Sequence, residues 1–202
     1  MSKIAIVRES DVLQHLTREM AFDAISQAFV ALAQGQSPLF PVTIGKGKDK
    51  DSMMAIKSGF LSSNNLVGLK VGTYWPHNHH AHNVPNHGST TLLLDPQTGY
   101  PMALINATKL NGMRTAAANA VATNLLANPE ATTLLIAGPG HQAHYELQAL
   151  SDIREFERIL IWGRDPSKSK SFIDSLTEYA DRCHVVTNLQ QATTESDVIV
   201  TV

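Results

Sequence analysis

The start of the chain combines one short apolar run with a longer helical pattern. Residues 4–7, IAIV, predict a strand. Ser10 and Thr17 are alternative helix starts, because acidic residues follow each of them within one turn. Apolar residues then recur at helical spacing, and Gly35 is a plausible end of that helix.

Residues 36–100 show a different pattern, in which short β-like runs alternate with turn residues. These runs are MMAIKSGF, LVGLKVGTYW and STTLLLD. The segment DPQTGYP at 95–101 predicts a hairpin connection, because its proline and glycine favour a chain reversal. An alanine-rich stretch at 107–130 predicts a helix that ends at Asn128-Pro129 and packs closely against another backbone.

Strands and helices alternate regularly beyond Pro129. The apolar strands lie in ATTLLIAGPG, RILIWGRD, CHVVTNL and DVIVTV, and the segments between them are HQAHYELQALSDI, PSKSKSFIDSLTEYA and the shorter QQATTES. Pro166 suits the first position of its helix. This order predicts a parallel sheet covered on both faces. The fold class is therefore α/β, with a Rossmann-type domain at 129–202 preceded by an α+β domain at 1–128.

Composition narrows the classes of function. The chain is 43% hydrophobic with a formal net charge of -2. Its basic residues are scattered, which argues against nucleic-acid binding and against a polybasic membrane surface. The single cysteine, Cys183, forms no internal disulfide and fits a reducing compartment. The sequence shows neither a signal peptide nor a membrane-spanning run, so we expect a cytoplasmic protein.

The segment AGPGHQA joins a predicted strand to a predicted helix. Gly138, Gly140 and Ala143 have the spacing of a dinucleotide-binding turn. In such a turn the first glycine allows the tight bend, and the second lets the backbone approach a pyrophosphate at the helix N-terminus. The alternative is an ordinary tight turn. The strand–turn–helix context favours binding of NAD or NADP.

The end of the second Rossmann strand bears on the choice between these cofactors. An acidic residue there suits the ribose hydroxyls of NAD, whereas a basic residue suits the 2′-phosphate of NADP. Gly163 stands where the acid is expected, and Arg164 can bind a phosphate. Asp165 either holds the ribose or caps the following helix. We interpret this pattern as favouring NADP.

Three motifs carry a family resemblance. GLKVG, LLLDPQTGYPMALINATKLNGMRTAAANAVA and GPGHQA together resemble the ornithine cyclodeaminase/mu-crystallin family, and the iminosuccinate and ketimine reductase branches look nearest. The resemblance implies a homodimer with a substrate and dimerisation domain, a Rossmann domain, and hydride transfer to or from a small imino or amino acid held between them. Family members are considerably longer. Four strands that end abruptly leave an exposed apolar edge, so we expect a C-terminally truncated product with an incomplete Rossmann sheet.

The resemblance also implies roles for individual residues. Lys70 matches a lysine that meets the substrate carboxylate, and Arg114 matches an arginine near substrate and cofactor. The expected cofactor contacts are Asn86, His87, Gly88, Arg114, Gly138, Gly140, His141, Gln142, Gly163, Arg164, Asp165 and Thr201. Family members usually have an arginine before the strand that carries the lysine, and this chain has Val42 near that position. Lys46, Lys48 or Lys57 can replace the arginine as a partner of the substrate carboxylate, and we favour Lys57. Asn106 stands where many members have aspartate.

Five histidines lie in YWPHNHHAHNVPNH at 74–87. A structural zinc site needs a closed tetrahedral ligand set, and this segment is rich in proline and asparagine without a nearby cysteine. We therefore expect no metal cofactor. His77, His79, His80 and His82 are interpreted as a mobile polar loop. His87 differs because it lies in NHGST, where the family contacts cofactor and substrate, and it can donate a hydrogen bond or a proton.

Three functions remain open from the sequence. The first is an NAD(P)-dependent reductase of a small imino acid, such as iminosuccinate or a cyclic ketimine, or the reverse dehydrogenase. The second is ornithine cyclodeaminase, an NAD-dependent ammonia-lyase that gives proline. The third is a truncated NAD(P)-binding fragment without catalytic activity.

Overall fold

The computed structural model describes residues 3–202. The chain divides into two compact units, Met1–Asn111 and Gly112–Val202. The sequence predicts a domain boundary between residues 128 and 129, which assigns the whole alanine-rich helix to the first domain. That boundary stays a prediction.

The first unit is built on a six-stranded sheet. Its strands are β1 (Ala5–Val7), β2 (Thr43–Lys46), β3 (Met53–Leu61), β4 (Leu66–Tyr74), β5 (His87–Leu94) and β6 (Pro101–Asn106), in the order β1-β6-β5-β4-β3-β2. The helices that precede or interrupt these strands are α1 (Glu9–His15), α2 (Arg18–Ala33) and α3 (Asn78–His82). Strands β2 to β6 pair antiparallel, and β1 joins β6 in parallel.

Strand register places functional candidates on one face of this sheet. Lys57 of β3 pairs with Lys70 of β4, which pairs with Thr91 of β5. Residues directly opposite each other point to the same side, as do residues two positions apart along a strand. His87 lies four residues before Thr91 and therefore on the same face as Lys70.

The second unit has a four-stranded parallel sheet in the order β10-β7-β8-β9. Its strands are β7 (Thr133–Ala137), β8 (Arg158–Trp162), β9 (Cys183–Val186) and β10 (Val198–Thr201). Helix α4 (Thr108–Leu126) leads into the unit, and α5 (His141–Ile153), α6 (Pro166–Asp174) and α7 (Leu189–Thr194) connect the strands. The central residues of β7 and β8 are fully buried, which accounts for their continuous apolar sequences.

Most of the predicted elements are confirmed. Thr17 caps α2 through a hydrogen bond from the Met20 amide to its hydroxyl, because the first helical N–H groups lack internal partners. Gly35 ends that helix with a positive φ of 72°. The sheet order of the second unit confirms the Rossmann-type arrangement.

Three local expectations differ from the structure. Strand β2 was not predicted, because its four residues TIGK carry no clear alternation. Helix α6 ends at Asp174 instead of continuing through the whole predicted segment. The histidine segment contains the short helix α3 rather than a loop without regular structure. Within residues 3–202 no helix combines the length and hydropathy needed to cross a membrane.

Candidate functional site

The glycine turn between β7 and α5 is shaped by a backbone contact. Gly138 has a φ of 121°, and its N–H donates to the carbonyl oxygen of Trp162 at 2.8 Å. A Cβ at this position would overlap the carbonyl oxygen of Val202, which follows β10. Thr201 pairs with Ala137 at the same end of the sheet. Glycine is therefore required at 138 by both φ and space.

Helix α5 begins directly after the turn. Gly140 is its N-cap, and a Cβ there would meet no atom within 4 Å. Within the described residues, the backbone N–H groups of His141 and Gln142 have no acceptor. Such N–H groups, together with the positive end of the helix dipole, are suited to an anion. Ala143 is fully buried, which permits close packing of the helix on the sheet.

The end of β8 has no space for a side chain larger than glycine. A Cβ at Gly163 would lie 2.9 Å from the ring of Pro139 and 2.9 Å from the Ser169 hydroxyl. Asp165 caps α6, since its carboxylate accepts hydrogen bonds from the Ser167 amide at 2.9 Å and the Ser167 hydroxyl at 2.6 Å. These bonds hold the Asp165 pKa below its ordinary value. The capping alternative for Asp165 is therefore observed, and Arg164 beside it is exposed.

Arg114 lies on α4 in the second unit. Partial loss of hydration lowers the pKa of its guanidinium, although the residue as a whole remains exposed. An arginine stays cationic under these conditions because its ordinary pKa is far above neutrality. Position 114 therefore carries a permanent positive charge.

In the first unit, the Lys70 side chain is hydrogen-bonded to a residue 41 positions away in the sequence. Its Nζ donates to Oδ1 of Asn111 at 2.7 Å. Asn111 lies in the first turn of α4, so the helix start fixes the ammonium group above the sheet. An oriented, partly buried ammonium group loses less freedom on binding an anion than a solvated one.

Lys57 lies directly across the strands from Lys70 and is exposed. Within residues 3–202 the Lys57 side chain makes no hydrogen bond or ion pair. Like charges opposite each other in a sheet are unfavourable. Both lysines line an open groove of about 320 Å³, in which Gly59 pairs with Gly68. The groove therefore has two cationic side chains at its edge, next to a pair of glycines that have no side chain to fill it.

The segment Asn86-His87-Gly88 has separate structural roles. The Asn86 side chain accepts a hydrogen bond from the His79 amide at 2.8 Å, and its carbonyl accepts one from the Trp75 amide at 2.7 Å. His87 begins β5 and is exposed. A Cβ at Gly88 would lie 2.7 Å from the Thr73 hydroxyl. Through these two hydrogen bonds Asn86 connects both ends of the histidine segment and thereby positions the start of β5.

The other four histidines remain at the surface or near it. His77 Nε2 lies 3.5 Å from a carboxylate oxygen of Asp49, and the rings of His79 and His80 make an edge contact at 5.7 Å. In the part of the chain that the structure describes, no group of three or more histidine, cysteine, aspartate or glutamate residues is placed to hold a metal ion. Asn86 connects this segment to the start of β5, because its side chain accepts the hydrogen bond from the His79 amide.

Sequence reasoning missed Asn111, Asn119 and Glu146. Asn111 carries no signal of its own, since its contact with Lys70 spans 41 positions. Glu146 had a detectable signal, because it interrupts the apolar stripe of Ala143, Leu147 and Leu150 on α5. A charged residue on a helix stripe that faces the core indicates a buried polar contact.

A sequence model of the ornithine cyclodeaminase/mu-crystallin family matches residues 3–202. The chain belongs to this family. The resemblance stated from GLKVG, the hairpin with its following helix, and GPGHQA is thereby confirmed.

Several family members are similar over almost the whole chain. Iminosuccinate reductase from Paracoccus denitrificans is 34% identical over 98% of this chain. The structure of that enzyme in complex with NAD+ matches with a TM-score of 0.86 at 33% identity. Delta(1)-pyrroline-2-carboxylate reductase from Thermococcus litoralis, solved with NADH and L-proline, matches with a TM-score of 0.89 at 26% identity. The chain spans 61% of the length of each of these relatives.

Proposed function

We propose that this protein is an NAD(P)-dependent reductase that converts a small imino acid, such as iminosuccinate or a cyclic ketimine, into an amino acid. The observation that carries the proposal is the turn at Gly138–Gln142, whose N–H groups suit a pyrophosphate, in a chain of this family. Two similar reductases were solved with NAD+ or NADH. The reverse dehydrogenase reaction uses the same groups.

The bound nicotinamide cofactor supplies hydride to the carbon of the C=N bond. The task of this chain is then to bind and orient a substrate that carries a carboxylate. Lys70 is the proposed partner of that carboxylate, because Asn111 already orients its ammonium group. Lys57 is the second proposed partner, since it lines the same groove and its side chain makes no ion pair with any described residue.

Arg114 is the proposed cationic residue of the second unit. It precedes a run of small residues on α4, two of which, Ala116 and Ala117, are buried. Its permanent charge can hold an anionic group of substrate or cofactor in a fixed orientation, since guanidinium groups form two parallel hydrogen bonds. This role is independent of pH in the physiological range.

We propose a preference for NADP over NAD. The support is that Gly163 cannot be replaced by an acid without a clash with Pro139, and that Asp165 is engaged as a helix cap. Arg164→Ala should raise the Kd for NADPH about tenfold or more while leaving the Kd for NADH unchanged, because only NADPH carries the 2′-phosphate. Nicotinamide fluorescence titrations with both cofactors measure this, and equal changes for the two would contradict it.

We propose that His87 takes part in the reaction and that His79 and His80 do not. His87→Gln should lower kcat about 10-fold to 100-fold, as expected for loss of a proton donor or hydrogen-bond donor. The double variant H79A/H80A is the matched control, because both residues lie in the same histidine segment on α3. Steady-state kinetics of imine reduction decide the matter, and equal losses in the two variants would exclude a special role for His87.

A homodimer and a cytoplasmic location are also proposed. The dimer is supported by exposed apolar side chains on the sheet face opposite Lys70, including Ile6 at 63% and Leu104 at 39% exposure, which pair in register across β1 and β6. The location is supported by the single cysteine and by the use of a nicotinamide cofactor as hydride source.

The cofactor part of the proposal is tested by titrating the chain with NADH and NADPH and following nicotinamide fluorescence at one salt concentration. Saturable binding of at least one cofactor is expected. Failure of both to bind would refute the reductase proposal for this chain.

A further inference from the structure

The second unit contains a carboxylate that is completely shielded from solvent, at Glu146. Its neighbours on the same stripe of α5, Ala143, Leu147 and Leu150, are also fully buried. Burying a carboxyl group is unfavourable unless hydrogen bonds compensate for the lost water. A leucine would fill such a position without that cost, so packing alone does not account for a glutamate here.

Both oxygens of the Glu146 carboxyl group accept hydrogen bonds from side-chain amides. Asn119 Nδ2 donates to Oε2 at 3.0 Å, and Gln142 Nε2 donates to Oε1 at 2.9 Å. The same Gln142 nitrogen donates to the Gly112 carbonyl oxygen at 3.2 Å. Glu146 is thus bound to Asn119 of α4, and Gln142, which Glu146 accepts from, is bound to Gly112 of α4. The two points of α4 are seven residues, or about two turns, apart.

Helix α4 comes close to α5 at Gly112, and it carries further small, buried residues beyond that point. A Cβ at Gly112 would lie 2.6 Å from the ring of Tyr145. Ala116 and Ala120 are each 1% exposed. Small side chains allow close approach of two helices but provide few ridges that would prevent one helix from sliding along the other. The hydrogen bonds of Glu146 and Gln142 supply a restraint along the helix axes.

We propose that Glu146 is a positioning residue that fixes the register of α5 against α4, and through it the position of the pyrophosphate-binding turn relative to Arg114. Arg114 lies between Gly112 and Asn119, the two anchored points of α4. Gln142 lies both in the turn and in the network. The inference rests on the proposed cofactor function and adds to it the residue that sets the geometry of the cofactor site.

The test compares ligands that contain the pyrophosphate with one that lacks it. Glu146→Leu keeps a side chain of similar size but removes both acceptors. It should raise the Kd for ADP-ribose and for NADH about tenfold or more, because small displacements of a preorganised site are costly. The Kd for adenosine should be unchanged. Glu146→Gln should bind ADP-ribose nearly as the unmutated chain does. The new side-chain oxygen can accept from Gln142, and the new side-chain nitrogen can donate to Asn119 once the Asn119 amide has turned over.

Asn119→Ala provides a second route, because it removes one bond to Glu146 at a residue outside the turn. It should weaken ADP-ribose binding in the same direction. Calorimetry for ADP-ribose, ligand-observed NMR for adenosine and urea unfolding for stability form one set of measurements. The inference is overturned if both E146L and N119A bind ADP-ribose like the unmutated chain and differ only in stability. If the unmutated chain itself binds neither ADP-ribose nor NADH, the proposed function fails and the inference fails with it.

Discussion

Lys70→Met is expected to lower kcat/KM for imine reduction by about 100-fold, which corresponds to about 2.7 kcal/mol of lost transition-state stabilisation. Methionine keeps much of the length of the side chain but cannot bind a carboxylate. It also leaves Oδ1 of Asn111 without the hydrogen bond from Lys70 Nζ. Steady-state kinetics with the imine as the varied substrate measure the effect.

The matched control for this variant is Lys50→Met. Lys50 is an exposed lysine in the turn between β2 and β3, so its replacement removes one positive charge from the same unit without touching the groove. Its kinetics should match those of the unmutated chain. Similar activities for K70M and K50M would show that Lys70 does not bind the substrate carboxylate.

Gly138→Ala is expected to abolish measurable NAD(P)H binding and to lower the free energy of unfolding by about 2 kcal/mol or more. The new methyl group would overlap the backbone oxygen of Val202, so either this residue or the turn would have to shift. The φ of 121° adds strain for any residue other than glycine. Urea unfolding and nicotinamide fluorescence measure the two effects.

Gly140→Ala separates cofactor binding from folding. A Cβ at Gly140 meets no atom within 4 Å and its φ is -97°, so the fold should keep its stability. The methyl group would nevertheless stand where the pyrophosphate approaches the backbone, and NAD(P)H binding should weaken. Unchanged cofactor binding by G140A would place the pyrophosphate elsewhere, and unchanged stability of G138A would contradict the described turn.

Long periodic segments were predictable from the sequence because their pattern and their packing agree. The apolar strands β7 and β8 lie in the centre of a covered parallel sheet, so their sequences report their burial directly. The glycine turn was predictable for a related reason, since steric limits on φ and on close approach leave glycine as the residue that fits.

The remaining features depend on contacts between distant positions. The partnership of Lys70 with Asn111 follows from where α4 begins beside the sheet, and no local pattern encodes it. Helix α3 forms in a histidine-rich segment because Asn86 supplies an acceptor to the His79 amide, which is a contact across seven residues. The end of α6 at Asp174 could not be predicted from the sequence either, because the polar residues of this segment suit both a helix and a loop.

The most direct test of the account is hydride transfer itself. The chain is mixed with NADH or NADPH and with one imino acid at a time (iminosuccinate, pyrroline-2-carboxylate, or pyruvate with ammonia), and the loss of absorbance of the reduced nicotinamide is followed. The account predicts oxidation of the cofactor that depends on the imino acid and produces the matching amino acid. Cofactor that binds to the chain but is not oxidised with any of these substrates, while full-length relatives oxidise it, would contradict the proposed reductase activity of this chain.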